Sequence, residues 1–230
     1  MRKSICWPLI MCGLWLFVGS GLCAAAEEIL KLPPPRLDGK VSVEAAMLKK
    51  KSVREFKAAP LKLADVSQLL WAANGDLPVD AVTSSTTKVI PSAGGLYPLE
   101  IYLACGDQTV EGLASGVYHY LPKKNGLKPI QSGDRRTLLG SAALGQMCIA
   151  KAPATLVIAA VFSRTAAKYG PRATQYVYIE AGNADQNVHL QAESLQLRCA
   201  TIGAFQEPQV AAVLKLPKEV TPVLLVPVGK

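Results

Sequence analysis

Pro91-Ser92-Ala93-Gly94-Gly95-Leu96-Tyr97-Pro98 is the stretch on which the reading of this chain turns. Its glycines let backbone N–H groups approach a flat ligand, and Ser92 adds a hydroxyl. Taken alone, it reads equally as an ordinary turn before a strand. A Ser/Thr-rich loop at 83–87 precedes it, and the apolar run Leu99–Cys105 follows as a strand. Gly116–Leu121 reads as a second strand. The spacing predicts a helix over 134–144 and a strand over 154–162, where the apolar run is continuous, as in a strand buried on both faces. The longest helix follows Pro171 and ends near Arg198, with Val177, Ala181, Ala184, Val188 and Leu195 at helical spacing. Residues 200–205 read as turn-like, Glu207–Leu214 as a helix and 221–228 as a last strand. Upstream, Ser42 is placed to cap a short helix running to Lys50, with Glu44 in its first turn. A second helix is predicted over 64–73, with Leu63, Val66, Leu69, Leu70 and Ala73 on one face and Gly75 as its stop. Helices and strands mix without regular alternation, which predicts an α+β fold.

Lys50-Lys51-Ser52-Val53-Arg54-Glu55-Phe56 is the second informative stretch. In extended form, Lys50, Ser52 and Arg54 point the same way. Two cations and a hydroxyl on one side suit a phosphate, with the Arg54 guanidinium giving paired donors. By spacing alone, a solvated charge run is the better explanation of the segment.

The two stretches occur in a telling order. K-x-S-x-R-x-F is followed by L-L-W-A-A-x-G (residues 69–75), then by P-S-A-G-G-L-Y-P, then by Gly116-Val117-Tyr118-His119-Tyr120. Glu180-Ala181-Gly182-Asn183-Ala184-Asp185-Gln186-Asn187-Val188-His189-Leu190-Gln191 and Ile202-Gly203-Ala204-Phe205 complete the set. The set resembles the nitroreductase superfamily of FMN enzymes, and within it the branch of the SagB-type azoline dehydrogenases, over residues 45–229. The resemblance implies a central, mostly antiparallel sheet flanked by helices, with a long core helix at the interface of an intertwined homodimer and each FMN at that interface. It assigns Lys50, Ser52 and Arg54 to the FMN phosphate. It places Pro91, Ser92, Ala93 and Gly94 against the flavin ring, and Ile202 and Gly203 over another part of the ring through backbone contacts. The catalytic chemistry then belongs to the flavin rather than to a side chain. Departures from the family pattern are Lys50 in place of arginine, Asn183 where histidine is frequent, Gln196 where glycine is common, and an end at Lys230 without the C-terminal extension of many relatives.

The first residues predict an address. Arg2 and Lys3, a mostly apolar stretch over 5–18 and Ala24-Ala25-Ala26 before Glu27 form a secretory signal peptide over 1–26. An uncleaved anchor would need a longer unbroken apolar run, and a lipoprotein would need a small residue where Leu22 precedes Cys23. The mature protein is therefore expected outside the cytoplasm, in the periplasm, touching the membrane only during export. Residues 27–41 read as an extended, proline-rich leader, and 42–230 as the FMN-binding domain.

Composition narrows the partners. The net charge of +8 falls to +6 once Arg2 and Lys3 are set aside. The cations are scattered apart from Lys49-Lys50-Lys51 and lack interleaved aromatic residues, so nucleic acid is a poor partner and an anionic small ligand a better one. Of six cysteines, Cys105, Cys148 and Cys199 lie beyond the signal, so at most one disulfide forms within the mature chain. No His/Cys cluster supports a metal. His119 reads as a solvent-facing strand residue and His189 as a hydrogen-bonded residue of the long helix. The expected function is an exported FMN-dependent oxidoreductase (a flavoprotein passing electrons from a small-molecule donor to a small acceptor). The alternative is a non-catalytic exported binding protein that keeps the fold.

Overall fold

The computed structural model describes Met1, residues 29–78 and residues 87–230. Apart from Met1, the predicted export signal over 1–26 lies outside the described residues, as does the Ser/Thr-rich loop up to residue 86. In chain order the strands are Leu30–Lys31 (β1), Leu99–Cys105 (β2), Gly116–Leu121 (β3), Gly126–Ser132 (β4), Ala154–Ala160 (β5), Arg198–Cys199 (β6) and Thr221–Gly229 (β7). The α-helices are Val43–Lys49 (α1), Leu63–Asn74 (α2), Arg136–Ala142 (α3), Cys148–Lys151 (α4), Phe162–Tyr169 (α5), Ala173–Ser194 (α6) and Glu207–Leu214 (α7). The strands form one sheet in the order β1-β4-β3-β2-β5-β7-β6. Each ladder is antiparallel, as expected for the α+β nitroreductase-like fold.

Strand β5 shows why the sheet sits where it does. All seven of its residues are buried. Side chains alternate across a strand, so a fully apolar run needs cover on both faces. Leu156 and Ile158 join Ile101 and Leu103 of β2 under Val66, Leu69 and Leu70 of α2 and Val177, Ala181, Ala184 and Val188 of α6. Val157 and Ala159 face the other way, with Tyr102 and Ala104, against Leu139 of α3 and Val210 and Leu214 of α7. The result is helix, sheet and helix in three layers, with α6 lying across one face. The small residues Ala181, Ala184 and Ala192 let that helix lie close to the sheet, and its opposite side carries Tyr178 and Ile179, 52% and 61% exposed.

Several boundaries differ from the expectation, each for a local reason. The apolar run 154–162 does not stay a strand to its end. The strand stops at Ala160, the Val161 N–H donates to the Pro98 carbonyl, and Phe162 opens α5. Strand β4 carries Lys128 and Pro129, poor strand formers, and its pattern hid it. It forms because a tight turn folds it back on β3, with Asn125 in the left-handed region at φ 40°. The long helix stops at Ser194 rather than near Arg198, because Gln196 adopts φ 59° and the chain reverses into β6. The leader is extended, as its prolines dictate, yet it is not free of the core. Leu30 and Lys31 pair with Leu127 and Gly126, and Leu32 is buried.

Candidate active site

The segment after α1 is extended. Lys50 has φ −59° and ψ 138°, Ser52 pairs in parallel with Cys199, and the Val53 N–H donates to the Cys199 carbonyl at 2.9 Å. Lys50, Ser52 and Arg54 therefore alternate along one edge of the chain, beside the segment that leads into Ile202 and Gly203. None of their side chains has a hydrogen-bond or ion-pair partner among the described residues. Next to them lies a cavity of about 340 Å³ lined by Leu48, Lys49, Lys50, Lys51, Glu193 and Arg198. Its one carboxylate, Glu193, is held by Arg198 at 2.6 Å, which leaves the lysines without a counter-charge.

Ile202 is locked in place by a reciprocal pair of backbone bonds to Leu225, 2.8 and 2.9 Å. This lock presents Gly203, whose N–H has no partner among the described residues and whose missing side chain would meet nothing closer than Leu224 at 3.8 Å. Behind it, the Thr201 hydroxyl donates to Asp185 at 2.7 Å and stands 2.9 Å from His189 Nε2. With its hydrogen committed to Asp185, Thr201 must accept from Nε2–H. Burial, helped by the charge of Lys50, holds His189 below its ordinary range against the pull of Asp185. His189 is thus a hydrogen-bonded helix residue, as the sequence predicts.

The 91–98 segment contains a single 3-10 turn, Ala93–Gly95. Gly94 and Gly95 both have positive φ, 63° and 66°, which glycine takes without strain. Ser92 organises the turn. Its hydroxyl accepts the Tyr97 N–H at 2.9 Å and donates to Glu180 of α6 at 2.6 Å. Glu180 is 2% exposed, and burial pushes its carboxyl up to about 7 despite the Ser92 hydrogen bond and the charge of Lys88.

The structure brings Lys50, Ser52, Arg54, Ile202 and Gly203 to the C-terminal half of α6. It places Pro91, Ser92, Ala93 and Gly94 against Glu180, nearer the start of that helix. At about 1.5 Å per residue, Glu180 and Glu193 stand about 20 Å apart along the axis. Glu180 itself carries a sequence signal. It occupies the stripe of Val177, Ala181, Ala184 and Val188, where a carboxylate is out of pattern.

His119 corrects a sequence expectation. It does not face solvent. Its Nε2 lies 2.7 Å from Glu100, its ring stacks on Tyr102, and Glu100 is also held by Arg164. Burial works to raise the Glu100 carboxyl, but His119 and Arg164 outweigh it and hold it below the ordinary range. Cys105, Cys148 and Cys199 form no disulfide among the described residues. Burial pushes the Cys105 and Cys199 thiols up to about 11 and about 12, while Cys148 is partly exposed. In chain lacking residues 1–26, a thiol-specific chromogenic reagent is expected to label Cys148 rapidly and the other two only after unfolding. Rapid labelling of all three would refute this burial.

The nitroreductase family model matches residues 47–230. This chain belongs to the nitroreductase family. A Methanocaldococcus jannaschii protein assigned as nitroreductase MJ1384 is 41% identical over 190 residues, covering 83% of this chain and 91% of that protein. A crystal structure of a protein from Ralstonia eutropha, assigned as a nitroreductase, shares 27% identity with a TM-score of 0.73 over 90% of each chain. A further assigned nitroreductase, from Anabaena variabilis, shares 28% identity with a TM-score of 0.71. That likeness covers 82% of this chain and 38% of the other. Nitroreductase membership makes the chain an oxidoreductase by family, in agreement with the residues that carried the resemblance.

Proposed function

We propose that the protein is an exported FMN-dependent oxidoreductase that works as a homodimer. The observation that carries this reading is the donor set at the end of α1. Two cations and a hydroxyl without partners among the described residues stand on a segment that pairs with Cys199, and the chain runs on from there to Gly203, whose N–H also has no partner among them. Unpartnered cations at one edge suit a phosphate, and an open glycine with a free N–H suits the close approach of a flat ring. The residues present therefore fit FMN. Lys50, Ser52 and Arg54 would hold the phosphate, and Gly203 would give a backbone donor to the ring. The turn at Pro91, Ser92, Ala93 and Gly94 lies about 20 Å away along α6 in the same protomer. A two-fold dimer packed on the exposed Tyr178 and Ile179 face would let the turn of one protomer cover the ring held by the other. Gly182, with open space beside it, lies on that same helix.

When bound, FMN supplies the two-electron chemistry. This chain's own residues anchor the phosphate, exclude water from the ring and place N–H donors where negative charge develops on reduction. The segments 91–98 and 180–191 support a place near the SagB-type branch. The signal read at 1–26 supports export to the periplasm, where a reductant other than a cytoplasmic nicotinamide is expected. To test catalysis, FMN-loaded protein is reduced without air and mixed with a quinone or a nitroaromatic acceptor. Rapid reoxidation is expected. Bound flavin that no donor reduces would favour the non-catalytic binding protein instead.

A further inference from the structure

Glu180 is a carboxyl without the surroundings that an ionised carboxyl needs. Its Oε2 accepts from Ser92, while Oε1 is buried and has no partner among the described residues. Both oxygens of a buried carboxylate require donors. The nearest cation acting on it, Lys88, is committed elsewhere, to Asp76 at 3.0 Å and to the Asn74 carbonyl at 3.1 Å. From α5, Lys168 and Tyr169 sit against Gly94, and just before α6 the Arg172 guanidinium donates to the Tyr176 hydroxyl. No ion pair to Glu180 occurs among the described residues. A neutral carboxyl meets the same surroundings well: one oxygen accepts from Ser92, and the other carries a hydrogen to donate.

A cavity lies beside the same side chain. Glu180 borders a cavity of about 240 Å³ bounded by Pro91, Ser92, Ala93, Tyr176, Ile179 and Asn183. The cavity opens beside the turn assigned to the flat ligand. We infer that Glu180, in its neutral form, is a hydrogen-bond donor of the ligand site, presenting Oε1–H to a ring carbonyl or ring nitrogen of the flat group against the 91–94 turn. The inference rests on the flavin reading of that turn. It adds a residue that discriminates by chemistry, because an acceptor edge is favoured and an anionic edge is rejected. Loss of the proton would set a carboxylate against that acceptor, so binding would weaken as pH rises through the range in which Glu180 ionises.

The test is a titration with FMN, read by flavin fluorescence, at about pH 6 and about pH 8.5. Wild type is compared with Glu180→Gln, whose amide donates at both pH values, and taking the ratio of the two cancels the titration of the FMN phosphate. The expected result is near-equal affinity at the lower pH and about tenfold weaker binding by wild type at the higher pH. Glu180→Ala, checked for folding by circular dichroism, should bind about tenfold more weakly at the lower pH. A wild-type to Glu180→Gln ratio that does not change with pH overturns the inference alone. If wild type takes up no flavin at either pH, the flavin reading falls and takes this inference with it.

Discussion

Replacing Lys50 and Arg54 together with alanine is expected to lower FMN affinity by two to three orders of magnitude. The argument rests on what these side chains do in the absence of ligand. Neither has a partner among the described residues, so neither is needed to neutralise a carboxylate of the fold. Their removal should leave stability nearly unchanged, because exposed charges contribute little. Each charge-assisted hydrogen bond to a phosphate contributes on the order of 1.5–3 kcal/mol, and about 1.4 kcal/mol is tenfold in affinity. Arg54 is expected to dominate, since its planar fork binds two oxygens at once and the Lys50 ammonium acts as a point charge. Riboflavin, which lacks the phosphate, should bind both proteins alike. Fluorescence titration reads all four affinities. Unchanged FMN affinity in the double variant would mean that the phosphate lies elsewhere.

The second large effect concerns stability without ligand. Burial pushes the Glu180 carboxyl up from its ordinary value of about 4.5 to about 7. Between those values the folded chain keeps a proton that the unfolded chain releases. The stability from this group is therefore intact below about pH 4.5 and is lost as pH rises through about 7. At about 1.4 kcal/mol per pH unit, the full loss is on the order of 3 kcal/mol. Two other groups behave oppositely. Glu100, held low, contributes above its unfolded value and loses its contribution as pH falls. His189, also held low, contributes above about 6.5 and loses it on acidification, which overlaps the Glu180 window. The diagnostic quantity is accordingly the difference between wild type and Glu180→Gln in chemical denaturation at about pH 5 and about pH 8. The glutamine keeps the size of the side chain and stays neutral. Wild type should lose stability relative to the variant on going to the higher pH. Parallel behaviour of the two proteins would show that Glu180 ionises in the ordinary carboxylate range.

Much of the fold could be read in advance because its signals are local. The run 154–162 announced a strand covered on both faces, and β5 is one, flanked by clusters on either side. Lys50, Ser52 and Arg54 were legible as an extended, phosphate-suited edge, and the backbone there is extended. Strand β4 was not legible, because Lys128 and Pro129 carry a weak strand pattern and pairing with β3 decides the matter. His119 looked like a surface residue because sequence does not reveal its neighbours across the sheet, Tyr102 and Glu100.

The candidate site was legible in its parts and not in their arrangement. The resemblance sets Ser52 and Ser92 in one site at a subunit interface, and within a single protomer the fold holds them apart along α6. Distance of that kind depends on how α6 crosses the sheet, which no local pattern encodes. Glu180 has no role in the resemblance, although a carboxylate on a buried helix stripe is out of pattern. Hydrogen bonding to Ser92 then ties it to the turn at the centre of the reading.

The visible absorption spectrum of the purified protein, before and after addition of FMN, tests the central claim most directly. The account predicts a flavin band that remains with the protein through gel filtration, either as isolated or after loading. No flavin absorption in the protein fraction under either condition would contradict it.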